Sequence, residues 1–346
     1  MISTACRPDL WPWLGAATVA AAALVSASLI PVVRPLLLRH ALAHPSDRSA
    51  HSIATPQGGG IAVVAAIVAV SLAAAWLGCP AAPEATASFW AALAAAGFIA
   101  AVGMADDVKA IPVVTRLALQ SVAVAAVVFM LPGDLDVVSF LPHAVERAFL
   151  FAGGLWFVNL VNFMDGIDWM TVAAVVPMCA GLVVVGLLGA LPGIAIVVAL
   201  ALLGALLGFA PFNRPVAGLF LGDAGSLPIG LLLGWLLALL AGRGYLEAAM
   251  LLPLYYCADA TVTLLRRLRN GEQIWAAHRT HYYQRAVAGG FTVPQVVTRV
   301  FRVNLALASL ATISVLGGNA ILDLIVLAIG AGLVAWLLAA FARGRR

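Results

Sequence analysis

Apolar residues run through this chain in long, unbroken stretches instead of alternating with polar ones. Eleven stretches can be delimited, at about 12–33, 59–78, 88–105, 117–132, 147–164, 169–189, 194–211, 226–242, 246–265, 295–316 and 319–341. Crossing about 30 Å of hydrocarbon takes roughly 20 helical residues, and continuity in Ala, Leu and Val predicts helices, since barrel strands alternate. The expected fold class is therefore all-α: a polytopic integral membrane protein with about 10–11 transmembrane helices, forming a single catalytic domain over 1–346. Neither a soluble domain, a linker, a low-complexity tail nor an internal repeat interrupts the pattern. Any chemistry must sit in the short polar segments and the helix ends beside them.

Composition agrees: 64% of residues are hydrophobic and 10% charged, against roughly 25% charged in soluble domains. The formal net charge of +4 does not signal a nucleic-acid partner, because the basic residues lie beside the spans and form no separate basic domain. They set topology instead. Arg34, Arg39 and Arg48 follow the first span, Lys109 and Arg116 the third, Arg214 the seventh, and Arg266, Arg267, Arg269, Arg279 and Arg285 the ninth, all on one face with the C-terminal arginines. That face is expected to be cytoplasmic. Arg147 and Arg243, with Asp134, Asp136 and Glu146, mark the opposite one. The uncharged turn at 190–193 is the weakest point of this topology, and the first apolar stretch is read as an uncut span. Cys6, Cys79, Cys179 and Cys257 have no metal or redox spacing.

Five acids share the cytoplasmic face. Asp106 and Asp107 end the third span, Asp165 and Asp168 the fifth in Asn159-Leu-Val-Asn162-Phe-Met-Asp165-Gly166-Ile-Asp168, and Asp223 follows the seventh in Phe220-Leu-Gly222-Asp223-Ala-Gly225-Ser226. A single acid at a span end can be an interfacial anchor or pair with Lys109, Arg116 or Arg214; five together indicate function. Adjacent carboxylates repel unless a cation or a proton lies between them. Mg²⁺ suits them, held by one or two carboxylates with substrate phosphates, and Mn²⁺ could replace it. If their segment stays helical, Asp165 and Asp168 share a face, with Asn159 and Asn162 in similar steps before them.

Two loops carry cations. Arg48 and His51 precede Gly58-Gly59-Gly60, a run that reads either as a phosphate cradle at a helix start or as a hinge. The loop at 266–292 holds His278, Arg279, His281, Tyr282, Tyr283 and Arg285. It reads either as a segment in the headgroup plane or as a phosphate-binding one; the His-x-x-His spacing alone is poor grounds for zinc.

Taken together over 44–290, the Pro-x-x-Arg-x-x-His loop, Gly-x-x-Asp-Asp, Asn-x-x-Asp-Gly-x-Asp, Phe-x-Gly-Asp-x-Gly-Ser and the His-x-x-His-x-x-Gln-Arg loop resemble the polyprenyl-phosphate N-acetylhexosamine-1-phosphate transferases. The resemblance implies Asp223 as principal Mg²⁺ ligand, assisted by Asp107, and Asp106 and Asp107 as the catalytic pair, joined by His281. It implies that Asn162, Asp165, Gly166 and Asp168, with Asn159 and Asn213, bind the nucleotide and sugar, and that Phe220 stacks on uracil. Arg48, His51, His278, Arg279 and Arg285 would serve the phosphates. Where phospho-N-acetylmuramoyl-pentapeptide transferases carry three consecutive histidines, this chain has His281-Tyr282-Tyr283-Gln284, closer to enzymes that begin O-antigen-type surface polysaccharides.

The implied reaction moves an N-acetylamino-sugar-1-phosphate from a UDP-sugar (UDP-GlcNAc or a 6-deoxy relative) to undecaprenyl phosphate and releases UMP, at the cytoplasmic face of a bacterial inner membrane. A homodimer is compatible with it. Which of Asp106 and Asp107 would act as base stays open. The rival class, an ion-coupled transporter, predicts acids deep within spans and an inverted repeat, whereas the clustered acids stand at the cytoplasmic span ends and no repeat is evident.

Overall fold

The computed structural model describes residues 11–43, 54–77, 83–138, 140–273 and 278–345. Thirteen α-helices follow in order: α1 (Trp11–His40), α2 (Gly60–Trp76), α3 (Pro83–Val108), α4 (Val113–Phe129), α5 (His143–Met164), α6 (Met170–Val185), α7 (Gly193–Phe209), α8 (Asp223–Ala241), α9 (Leu246–Leu251), α10 (Leu254–Arg269), α11 (Tyr282–Ala288), α12 (Val293–Gly317) and α13 (Ala320–Arg343). A two-residue ribbon, β1 (Leu42–Ala43) against β2 (Thr55–Pro56), is the sole sheet among the described residues. Eight helices are long and apolar enough to cross a membrane, and α2 and α4 are shorter apolar ones.

The remaining expected span, 246–265, is broken. Leu252-Pro253 separates α9 from α10, and α10 ends in Arg266, Arg267 and Arg269. Proline at 253 has no amide to continue the helix and its ring crowds the preceding turn. The uncharged turn at 190–193 does divide two helices, with Gly189 at φ 96° ending the first and Pro192 preceding the second.

Helices α7 and α8 form the centre, buried almost all round. α7 packs on α1, α2 and α6, while α8 packs on α3, α5, α2 and α9. Three glycines let α2, α3 and α8 meet backbone to backbone. A Cβ on Gly60 would lie 2.1 Å from Gly225 Cα, and one on Gly103 2.4 Å from the Asp223 carbonyl. Such approaches admit no side chain. At the far end of the bundle, buried Glu146 accepts the Val137 and Val138 amides at 2.6 and 2.9 Å, closing the α4–α5 connection.

Candidate active site

The ends of α3 and α5 and the start of α8 converge on a cavity of about 270 Å³ lined by Gln57, Asp107, Asn162, Asp165–Asp168, Asn213, Phe220–Asp223 and Ser226. Its floor is the first turn of α8, whose leading amides have no partner within the helix. Asp107, arriving from α3, supplies it: Oδ1 accepts the Asp223 amide and Oδ2 the Ala224 amide, both at 3.0 Å. This is an N-cap delivered from another helix, favoured also by the helix dipole. Gly222, at φ 72°, turns the chain into the helix, and a Cβ there would sit 2.4 Å from Asp107 Oδ2. The fit fixes the Asp223 side chain at the cavity wall.

Around Asp223 the polar groups are interlocked. Its Oδ1 accepts from Asn162 Nδ2 at 2.6 Å, and the same nitrogen lies 2.9 Å from Ser226 Oγ. Its Oδ2 lies 3.2 Å from Arg116 Nη1, which also holds Asp106 Oδ2 at 2.7 Å. Asp106 further accepts the Ile111 amide at 2.6 Å and does not line the cavity. The adjacent aspartates therefore diverge, Asp107 into the cavity and Asp106 into a clamp with Arg116. The Arg116 guanidinium thus pairs with two of the five carboxylates. Four of the acids, Asp107, Asp165, Asp168 and Asp223, line the cavity with Asn162 and Ser226, and their hard oxygens form a donor set that fits a divalent cation of the Mg²⁺ type. Among the described residues no three His, Cys, Asp or Glu side chains converge tightly enough to hold an ion alone, so such an ion would share its coordination with water and phosphate.

Asp165 and Asp168 do not share a helical face. Helix α5 ends at Met164, Asp165 is its C-cap at φ −90°, ψ 46°, and Trp169 takes a left-handed conformation at φ 62°. Such a backbone costs about 1–3 kcal/mol for a non-glycine residue. Two bonds hold it here, Trp169 N to Asn213 Oδ1 at 2.8 Å and Nε1 to the Ala210 carbonyl at 2.6 Å. Asn213 also donates to the Leu219 carbonyl, and Asp168 accepts the Ala217 amide at 3.1 Å. Both acids reach the cavity by this turn. Thr171 donates to Asp165. Burial pushes the Asp165 carboxyl up to about 8, against that bond and with Asp223, Asp107 and Asp168 adding to it. An acid whose folded pKa lies above its ordinary 3.8 destabilises the fold as it ionises, so the penalty is absent below about pH 4 and complete above about pH 8. In cation-free buffer the melting temperature should fall across that window, and Asp165→Asn should flatten the fall.

Two amides of the glycine run are committed within the fold. Gly59 N donates to the Phe220 carbonyl and Gly60 N to the Leu221 carbonyl, at 2.9 and 2.8 Å, so these amides are already used. Phe220 N in turn donates to the Pro56 carbonyl at 2.9 Å, which sets the Phe220 ring at the cavity edge. Arg48 and His51 lie outside the described residues. Asn159 lies below the cavity, donating to Gln120 at 2.8 Å and to the Leu155 carbonyl.

The 278–288 segment joins the site from behind. His281 is buried, stacked between Phe163 and Tyr283 with centroids 6.3 and 5.8 Å away, and His278 is 4.8 Å from it. Burial pushes the His278 ring down to about 4, with His281 and Arg267 acting in the same sense, so it is neutral at pH 7. Neither histidine lines the cavity, nor do Arg279 and Arg285; Arg285 sits 5.4 Å over the Tyr282 ring.

Contact with the cavity comes through Tyr283, which donates to the Phe163 carbonyl at 2.9 Å. A Cβ on Gly166 would lie 2.1 Å from its hydroxyl. Because that ring is fully buried, Gly166→Ala is expected to cost about 2 kcal/mol through overpacking, read as a lowered melting temperature together with impaired activity.

Sequence reasoning missed two groups. Arg116 was read as a topological charge or as the partner of a single acid, and its bridging of Asp106 and Asp223 was not foreseen. Asp259, fully buried on α10, accepts the Tyr282 and Tyr283 amides at 2.8 and 3.1 Å, is 3.3 Å from the Tyr255 and Thr263 hydroxyls, and lies 3.5 Å from His281 Nδ1. An aspartate amid an apolar run was its only signal.

Residues 89–241, from α3 through α8 and including all five clustered acids, match the family described as Glycosyl transferase family 4. The chain is 27% identical over 297 residues to a probable undecaprenyl-phosphate N-acetylglucosaminyl 1-phosphate transferase of Bacillus subtilis, covering 79% of this chain and 78% of the relative. It is 28% identical to a decaprenyl-phosphate N-acetylglucosaminephosphotransferase of Mycolicibacterium smegmatis, covering 78% and 74%. It is 29% identical to a phospho-N-acetylmuramoyl-pentapeptide-transferase of Rhodopseudomonas palustris, covering 58% and 63%. With its multi-pass helical fold and its acid-lined cavity at the helix ends, the chain is similar over residues 89–241 to glycosyl transferase family 4, and over more than three quarters of its length to membrane enzymes named for transferring N-acetylglucosamine phosphate to a polyprenyl phosphate.

Proposed function

We propose that the enzyme transfers N-acetylglucosamine-1-phosphate from UDP-N-acetylglucosamine to undecaprenyl phosphate, at the cytoplasmic face of a bacterial inner membrane, and so begins a surface polysaccharide of the O-antigen type. One observation carries the reading: a cavity at one end of the bundle presents a rigidly held acid, Asp223, between an aromatic edge, Phe220, and amide-bearing walls at Asn162 and Asn213. Uracil would stack on Phe220, with the sugar toward Asp165, Gly166 and Asp168. The GlcNAc relatives match over a larger share of this chain than the muramoyl-pentapeptide one, and the histidine loop departs from the muramoyl pattern, which favours the former substrate.

Mg²⁺, held by Asp223 with Asp107 and Asp165 beside it, would supply neutralisation of the diphosphate when bound. The chain's own part is positioning, which dominates phosphoryl transfer. Asp107 locks the start of α8, Asn162 orients Asp223, and Arg116 restrains Asp106 and Asp223 together. A lipid phosphate oxygen forms a bond to the β-phosphorus as the bond from that phosphorus to the bridging oxygen breaks; that oxygen leaves with its electron pair on UMP. A phosphate monoester, with a second pKa near 6, is largely ionised at pH 7, so no protein base is required. The apolar cavity of about 430 Å³ between α4, α5, α8 and α9 would lodge part of the prenyl tail.

The test gives purified enzyme radiolabelled UDP-N-acetylglucosamine, undecaprenyl phosphate and Mg²⁺. Label should become extractable into organic solvent with equimolar UMP; folded enzyme that transfers no label from any UDP-N-acetylamino sugar would overturn the reading, and transfer only from UDP-muramoyl-pentapeptide would reassign the substrate.

A further inference from the structure

A second groove, of about 590 Å³, opens sideways between the start of α12 and the end of α13, lined by residues including Gln295, Thr298, Arg299, Arg302 and Trp336. It contains no acid. Helix α12 has none along its length, and the one acid of α13, Asp323, is at that helix's opposite end, hydrogen-bonded to Ser314. Arg302 lies nine residues into α12, about 13 Å along its axis at 1.5 Å per residue. It is exposed, and among the described residues it makes no ion pair or hydrogen bond. Arg299, one turn nearer the helix start, is steadied by the Phe291 ring 4.7 Å below its Cζ and by a bond to the Gln295 carbonyl at 3.0 Å.

An arginine two turns inside a spanning helix, on an outward face, is costly unless it finds a partner or reaches the interface. Its surroundings indicate the partner. Trp336 is 57% exposed across the groove, and tryptophan is a residue that seats among headgroups. Deeper on the same two helices, Leu305 and Ile329 are about half exposed, presenting an apolar surface to the bilayer. Two guanidiniums above such a surface, with no acid between them, match a phosphodiester whose acyl chains run down the helices; arginine forks suit phosphate oxygens, and basic pockets between spanning helices suit anionic lipids.

We propose that this groove is a binding site for an anionic glycerophospholipid, its phosphate held by Arg299 and Arg302. The occupant bears on the active site through α11. Gly289, just after α11, accepts the Arg345 amide at 2.8 Å, so the end of α13 braces the segment that carries His281. A lipid bridging α12 and α13 stiffens that brace.

The full chain in neutral detergent would be titrated with phosphatidylglycerol, with phosphatidylcholine of the same chains and with inorganic phosphate, following native mass spectra and melting temperature. Phosphatidylglycerol should be retained one per chain and raise the melting temperature, with an affinity about tenfold above phosphatidylcholine, the order expected for one or two arginine attractions. Arg299→Gln with Arg302→Gln should erase the preference. Equal retention of both lipids by the wild type would overturn the proposal, as would equal protection by inorganic phosphate or an undiminished preference in the double variant. A double variant too unstable to purify leaves the wild-type lipid comparison decisive.

Discussion

Replacing Asp223 by Asn is expected to remove transfer by at least about 10³-fold, the upper end of what one preorganised electrostatic group supplies, while leaving the melting temperature almost unchanged. The separation of the two effects follows from geometry. The helix start beneath Asp223 is held by Asp107 through backbone amides, which the substitution does not touch. An asparagine can still accept from Asn162, and Arg116 keeps its 2.7 Å bond to Asp106, so what is lost is the charge facing the cavity and its weaker pairing with Arg116. Extractable label measures the first effect and thermal unfolding the second. An Asp223→Asn enzyme with near-normal turnover would remove Asp223 from the chemistry.

The second large effect is expected far from the cavity floor. Asp259→Ala orphans two buried backbone amides and two hydroxyls at one stroke, and an unsatisfied buried donor costs about 1–3 kcal/mol. A loss of about 3 kcal/mol in stability should accompany a fall in turnover, because the start of α11 and the seat of His281 depend on that carboxylate. Asp259→Asn is a finer probe. It keeps one acceptor oxygen but turns an NH₂ toward an amide that also donates, so it should lie between wild type and Asp259→Ala in both measurements. Wild-type stability in Asp259→Ala would show that α11 is held by its ring contacts alone.

These two residues also mark what the sequence could reveal. Asp223 was legible because it stands in a Gly-rich segment beside an apolar run, where a charge has few structural reasons to be. Asp259 sits inside an apolar run whose fracture at Pro253 was read through, and so its acid looked incidental. Asn159 and Asn162 look equivalent on paper; a step of three residues lowers the first by roughly 4.5 Å and rotates it, which turns it to Gln120 on α4. Arg116 has the hallmark of a topology charge, a cation just past a span, and only the folding together of α3, α4 and α8 makes it a clamp. The helices themselves were readable almost one for one, since hydropathy reports length and continuity. Their tertiary use of glycine was not, because a backbone contact leaves no side-chain signature.

That glycine contact has a dynamic consequence. Where Gly60, Gly103 and Gly225 let backbone rest on backbone, no side chain lies between α2, α3 and α8 to rearrange, and the wall of the cavity carrying Asp107 and Asp223 is expected to be stiff. The opposite wall, the turn of Asp165 to Trp169 backed by α11, is built of side-chain contacts that can rearrange. Any breathing that admits a ligand to this cavity is therefore expected on one side, at the Asp165–Trp169 turn and α11, against a fixed opposite wall.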